Sequence, residues 1–278
     1  MPGSPRSRRD LTVLAILGLL AGLASALFGV GGGLVIVPIL VAFRAYPIKV
    51  AVGTSLFAIA AVSAVGTSAE ALVAPANIRP VLAAALVAGS LLGAGFGAEW
   101  ARRLPDACLR AGLVLFMLLS AAKLIFGSTE GAAEGLLSFA EAPVQVLAIE
   151  AVVGLLAGAA ASLFGIGGGI VVVPATTFLV ADVTFHAARA TSLLVIVPTS
   201  LVGAWRHGRF GHVDAGTARA LAPTGALGAI AGVLVANETG AALLRTLFGF
   251  FLVAAAARLA FSSRKGRNEA RAGAEKNN

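Results

Sequence analysis

Long apolar runs, cut by short polar stretches, order this chain. Apolar segments fall at 11–43, 46–69, 80–98, 107–127, 144–181, 186–205, 215–236 and 240–261. Tyr46-Pro47, the stretch from Pro75 to Pro80, the stretch from Arg102 to Asp106 and the Gly/Glu-rich residues 127–142 separate them. Several exceed the roughly 20 residues that a helix needs to cross about 30 Å of hydrocarbon. The pattern therefore predicts an all-α polytopic membrane protein. Residues 262–278 hold five basic side chains and almost no large apolar ones, which predicts a disordered, solvated tail.

The pattern repeats. Phe28-Gly-Val-Gly-Gly-Gly-Leu-Val-Ile-Val-Pro38 returns as Phe164-Gly-Ile-Gly-Gly-Gly-Ile-Val-Val-Val-Pro174, an offset of 136. Thr54-Ser55-Leu56 returns as Thr191-Ser192-Leu193 at 137, while Leu109-Arg110 and Lys123-Leu124 match Leu244-Arg245 and Arg258-Leu259 at 135. Four matches in order at a nearly constant offset predict two homologous four-segment halves rather than a solenoid. The expected organisation is a cytoplasmic N-terminus 1–10, a first transmembrane repeat 11–127, a linker loop 128–142, a second repeat 143–261 and a cytoplasmic tail 262–278.

The first segment of each half is too long for one ordinary span, and its glycines fall in the middle. Glycine in a helix interior costs about 1 kcal/mol, so a run of them predicts a break. Broken backbone at membrane depth survives only where protein or a water-filled cavity satisfies it. Two topologies follow. If each long segment crosses once, eight crossings place the halves parallel, with 14 of the 21 Lys and Arg inside. If each folds back as a re-entrant hairpin, three crossings per half invert the second repeat. Only Arg79, Lys123, Arg189 and Arg245 then lie outside, leaving 17 inside. The positive-inside rule favours the inverted repeats, and both arrangements place the termini in the cytoplasm.

Composition agrees with a membrane location: 58% of the 278 residues are hydrophobic and 12% charged, where about 25% charged is usual for soluble domains. The net charge of +8 reads as cytoplasmic-side Lys and Arg rather than a nucleic-acid surface, since no basic, aromatic-interleaved domain is present. The single cysteine, Cys108, excludes an internal disulfide and a multi-cysteine metal site. Ser7-Arg8-Arg9-Asp10-Leu11, with Ala24-Ser25-Ala26 downstream, imitates a cleaved export signal. The recurrence of a similar stretch at 151–164 makes it the first membrane element instead.

Candidate chemistry centres on the breaks. A helix restarting after Gly33 or Gly169 presents unpaired N–H groups and a partial positive charge, and Gly31, Gly32, Gly167 and Gly168 let a ligand approach the backbone. Such ends suit an anion; the alternative is that the glycines only allow close helix packing. Neither copy fits G-x-G-x-x-G, because Leu34 or Ile170 occupies the last position, and neither carries a P-loop Lys. Thr54, Ser55, Thr191 and Ser192 offer hydroxyls to an oxyanion or to a helix carbonyl. Lys49, His186 and Arg189 either attract an anion or snorkel at the interface. Among scarce acids, Glu150 lies inside a segment and is a proton-coupling candidate, while Glu70, Glu99 and Asp182 lie near segment ends. His207 and His212, with Arg206 and Arg209, read as a cytoplasmic anchor, short of a third metal ligand. No nucleophile–base set and no cofactor motif appears, so the expectation is neither an enzyme nor a cofactor protein.

The twin F-G-[VI]-G-G-G-[LI]-V-[IV]-V-P signatures, each followed by Thr-Ser-Leu, resemble those of the TauE/SafE family of membrane permeases over residues 11–261. The resemblance implies two four-segment halves and export of sulfite or related organosulfur anions across a bacterial-type inner membrane. The family's Gly-Thr-Ser is kept at Gly53-Thr54-Ser55 but reads Ala190-Thr191-Ser192 in the second half. Its histidine survives only as His186, with Lys49 in the first half. The expected partners are a small anionic substrate and the lipid bilayer. Other readings are a permease for another solute, or a scaffold subunit whose glycines only pack helices.

Overall fold

Each long apolar segment is split by its glycines. In chain order the helices are α1 (Arg8–Phe28), α2 (Gly33–Arg44), α3 (Ile48–Val73), a 3-10 turn at Pro75–Asn77, α4 (Pro80–Ala101), α5 (Asp106–Phe126), α6 (Pro143–Phe164), α7 (Gly169–Leu179), α8 (Phe185–Arg209), α9 (Ala215–Glu238) and α10 (Ala241–Glu275). The computed structural model describes the backbone of residues 8–44, 46–101, 106–127 and 136–275, and the side chains of 10–41, 46–95, 111–127 and 136–260. Arg102, Arg103 and linker residues 128–135 lie outside the described residues, as do residues 276–278 and the side chains of Glu99, Cys108 and Arg110.

Among the described residues, six helices are long and apolar enough to cross a membrane, within α1, α3, α6, α8, α9 and residues Ala241–Ala260 of α10. Shorter apolar helices run at Pro80–Gly95, Ala111–Phe126 and Gly169–Leu179. The protein is thus an all-helical, multi-pass membrane protein. The 12 residues of α2 and the 11 of α7 extend only about 18 and 16 Å at 1.5 Å per residue, half a bilayer each.

Both half-helices fold back along the helix before them. A methyl group on Gly32 would stand 2.6 Å from Ala21 O, and Ile36 and Leu40 pack in one apolar cluster with Leu14 and Leu17. In the second hairpin Gly168 lies against Ala157, and Thr176 Oγ1 donates to Glu150 Oε2 at 2.9 Å. As α7 advances, its partners recede along α6, so the pair is antiparallel.

The packing falls into two units. One comprises 1–98 and 130–244, and the other 99–129 and 245–278. In the first, α1 lies on α9 through small residues: Gly18 against Leu221, Gly22 against Gly225 and Gly228 against Leu19. α6 lies on α4 in the same way, with Gly154 against Leu86, Gly158 against Ser90 and Gly93 against Leu155. These contacts correspond at offsets of 135 and 136, with the halves exchanged. Small residues let backbones approach, and van der Waals contact replaces the hydrophobic effect that lipid does not supply. Between them α3 and α8 run antiparallel: Glu70 meets Arg189 at one end, and Gly53 meets His207 and His212 at the other. In the second unit α5 and α10 pair antiparallel, with Gly249 against Ile125 and Gly127 facing Arg245.

Candidate functional site

The two glycine breaks meet. A methyl group on Gly33 would stand 2.0 Å from Gly165 O, and one on Gly169 would stand 1.9 Å from Gly29 O. These two contacts are the same contact with the halves exchanged, since 29 pairs with 165 and 33 with 169 in the repeat. Gly31 and Gly167 pack on each other between them. Ile59, beside Gly31, sits near the midpoint of α3, and Ile196, beside Gly167, near that of α8. The breaks therefore lie at mid-height of the central helices. Gly32 and Gly168 have φ of +72° and +83°, the left-handed region that glycine reaches without penalty. Gly29, Gly31, Gly165 and Gly167 share that region, so the chain reverses from α1 into α2, and from α6 into α7, without strain.

The helix starts carry polar backbone into this centre. The first bonds of α2 run from the N–H groups of Val35 and Ile36 to Gly32 O, and those of α7 from Val171 and Val172 to Gly168 O. The N–H groups of Gly33, Leu34, Gly169 and Ile170 precede any intrahelical acceptor. Pro38 and Pro174, inside the half-helices, also lack the N–H that would bond Leu34 O and Ile170 O.

Both Thr-Ser pairs bond backbone of the opposite half. Ser192 Oγ donates to Gly29 O at 2.7 Å and Ser55 Oγ to Gly165 O at 3.4 Å. The Arg79 N–H donates to Thr191 Oγ1 at 3.1 Å, and the Asp214 N–H to Thr54 Oγ1 at 2.9 Å. The serines thus secure the ends of α1 and α6 beside the breaks. All ten predicted site residues, Gly31, Gly32, Gly33, Thr54, Ser55, Gly167, Gly168, Gly169, Thr191 and Ser192, are buried; the bonds tie the two serines to the glycine centre, while the two threonines accept from the backbone that leads into α4 and α9.

The flanking charged residues divide. Arg189 does not snorkel: it is fully buried, its Nη2 donates to both Glu70 carboxylate oxygens at 2.8 Å, and its Nη1 donates to Ala26 O at 2.7 Å. Asn77 and Asn237 also donate to Glu70. His186 is half-buried beside this pair, whereas Lys49 is exposed. At the other end of α8, His207 and His212 stand with ring centroids 6.0 Å apart, Arg206 donates to Ala94 O and Gly95 O, and Arg209 lies over Trp205. Asp182 is exposed and accepts from Ser138.

Two clusters escaped sequence reasoning. Tyr46 OH donates to Asp214 Oδ2 at 2.5 Å, and Thr217 bonds both. Burial alone pushes the Asp214 carboxyl up, but bonds from the Tyr46 hydroxyl and from the Thr217 and Gly216 groups outweigh it and hold the group below its ordinary range. The second is the Asn77 and Asn237 shell of Glu70. A signal existed in the single tyrosine of the chain and in two asparagines bordering apolar runs, but each binds a residue about 160 positions or more away.

A model of the family described as sulfite exporter TauE/SafE matches residues 2–124 and 150–277. The chain is 30% identical over 261 residues to a probable membrane transporter protein, YunE, of Bacillus subtilis, covering 86% of this chain and 90% of that one. It is 29% identical over 260 residues to a probable membrane transporter protein of Xylella fastidiosa, covering 89% and 94%. A probable membrane transporter protein of Methanocaldococcus jannaschii is 27% identical over 199 residues, 69% of this chain and 70% of that one. No solved structure matches the chain.

Proposed function

The chain belongs to the TauE/SafE sulfite exporter family, and from that premise we propose that it moves a small oxyanion, sulfite or an organosulfonate, out of the cell by alternating access. The observation that carries this reading is the meeting of two half-helix N-termini at mid-height, where unpaired N–H groups and the positive helix ends favour an anion. Gly31, Gly32, Gly33, Thr54 and Ser55 bound the anion from one half, and Gly167, Gly168, Gly169, Thr191 and Ser192 from the other. The antiparallel course of the equivalent helices α3 and α8 supports inverted repeats, an architecture that places substrate at the repeat interface. The protein then sits in the cell membrane with both termini in the cytoplasm.

The close approach of the glycines also supports a second reading, a scaffold in which they only pack helices. Flux separates the two. The glycines themselves are poor probes, because alanine at Gly32 or Gly168 is strained by the backbone and clashes with Ala21 or Ala157. Ile59→Phe and Ile196→Phe instead add bulk beside the breaks. Purified protein in vesicles loaded with sulfite, thiosulfate or an alkanesulfonate should give saturable efflux, and both variants should lose it while remaining monodisperse. Background flux from the wild type with every anion, or full flux from both variants, would sink the transport site.

A further inference from the structure

We propose that Glu150 is a proton-binding site of this transporter, loaded while the α6–α7 hairpin is closed and released when the hairpin opens to water. The proposal rests on the transporter reading, but not on which anion is carried.

Glu150 is fully buried in α6, seven residues or about 10 Å from its start at 1.5 Å per residue. Its Oε2 accepts from the Thr176 hydroxyl of α7 at 2.9 Å, while Oε1 is buried with no hydrogen-bond partner. No cation faces it. α7 and the described part of α4, both packed on α6, contain no charged residue. The basic groups of α8 are used elsewhere: Arg189 holds Glu70, His186 stands beside that pair, and His207 reaches Ser162 O near the far end of α6. Arg206 and Arg209 belong to that same far end, and α3 meets this region through Val52 beside Gly165. In the polypeptide before α6 and after α7, Glu141 and Asp182 are exposed.

A carboxylate buried without a cation carries a large desolvation penalty, which a proton removes. The protonated group also gives Oε1 or Oε2 a hydrogen to donate, to Thr176 or to entering water. The first hairpin shows that none of this is needed for folding. At the repeat-equivalent positions, offset by 136, it has Leu14 and Leu40, both inside one apolar cluster. The second half thus places an acid and a hydroxyl where its counterpart packs two leucines. An acid retained at membrane depth against that apolar alternative has a function to serve.

The test has two arms. Protein in lipid nanodiscs is treated with dicyclohexylcarbodiimide, which modifies protonated carboxyls in apolar surroundings, and the labelled residue is found by mass spectrometry. Glu150 should be labelled at neutral pH, with labelling lost as pH rises, while Glu70, held by Arg189, stays unmodified. In the second arm, vesicles carrying Glu150→Gln should keep anion exchange at equal pH on both sides but lose accumulation driven by a pH gradient. Glu150→Leu with Thr176→Leu, which recreates the first hairpin, should fold and behave likewise. Glu150 unlabelled at every pH, labelling blocked by sodium but indifferent to pH, or wild-type gradient-driven accumulation in Glu150→Gln would each overturn the proposal. Absence of sulfite flux from the wild type would count against the anion reading alone, since the labelling arm needs no substrate.

Discussion

Ser192 donates a 2.7 Å hydrogen bond to the carbonyl of Gly29, a residue 163 positions earlier in the chain. The bond joins the second-half helix α8 to the break that ends α1, and Ser55 repeats it toward Gly165 at 3.4 Å. Each half therefore secures the break of the other, and the break is a shared structure rather than a local turn.

That reciprocity makes the two serines unequal in a measurable way. Removing a buried donor leaves its carbonyl without a partner, at about 1 kcal/mol in a membrane protein. Ser192→Ala should lower the thermal midpoint in detergent, and Ser55→Ala, whose bond is long, should lower it less. The reverse order would mean that the serines do not stabilise the breaks in the way the geometry gives.

The Glu70–Arg189 pair is the stronger test of burial. Both side chains are fully shielded, so removing one partner strands the other, a loss of about 3–5 kcal/mol. Arg189→Met and Glu70→Leu should each be severely destabilised or fail to accumulate. The double variant removes both charges together and should recover much of that loss. A double-mutant cycle on purified protein measures the coupling. Singles as stable as the wild type would show that water reaches the pair.

Much of the outline was legible in the sequence, because membrane helices and their glycine breaks leave local signals. The breaks at Gly29–Gly32 and Gly165–Gly168 follow from glycine runs in apolar segments. Where α3 ends was not legible: a charge at Glu70 reads as the membrane edge, yet the helix runs to Val73 because Arg189 neutralises the carboxylate. Nor could the exchange of α1 onto α9 and α6 onto α4 be read. Helices apolar on nearly every face give no periodicity to identify the buried side, and lipid removes the contrast that exposes it in water. For the candidate site, the glycines and the Thr-Ser pairs were visible as repeats. Their bonding partners lie in the other half and leave no local trace.

Asp214 ties stability to acidity. Its folded-state carboxyl is held below the ordinary range chiefly because hydrogen bonds from Tyr46, Thr217 and Gly216 outweigh burial. For a depressed carboxyl, the stabilisation is fully present above the unfolded value, about pH 4, and is lost as pH falls through the lower folded value. Tyr46→Phe removes one of these bonds and brings the folded value closer to the unfolded one. Acidification from about pH 5 to about pH 3 should therefore lower the thermal midpoint of the wild type more than that of Tyr46→Phe. Equal slopes would remove Tyr46 from the linkage.

Orientation can be read at two exposed side chains. Leu72 lies at the end of α3 near Glu70, and Phe210 follows α8 beside His212, so the antiparallel helices carry them to opposite ends. Inverted repeats place Leu72 outside the cell and Phe210 in the cytoplasm. Eight crossings with parallel halves would place both inside. With Cys108→Ser removing the only native thiol, Leu72→Cys should react with a membrane-impermeant maleimide on intact cells, and Phe210→Cys only after permeabilisation. Neither position lies in a helix interface, so the substitutions should leave folding unchanged. Labelling of both from the same side would rule out the inverted arrangement, and with it the placement of two opposed half-helix ends around one anion.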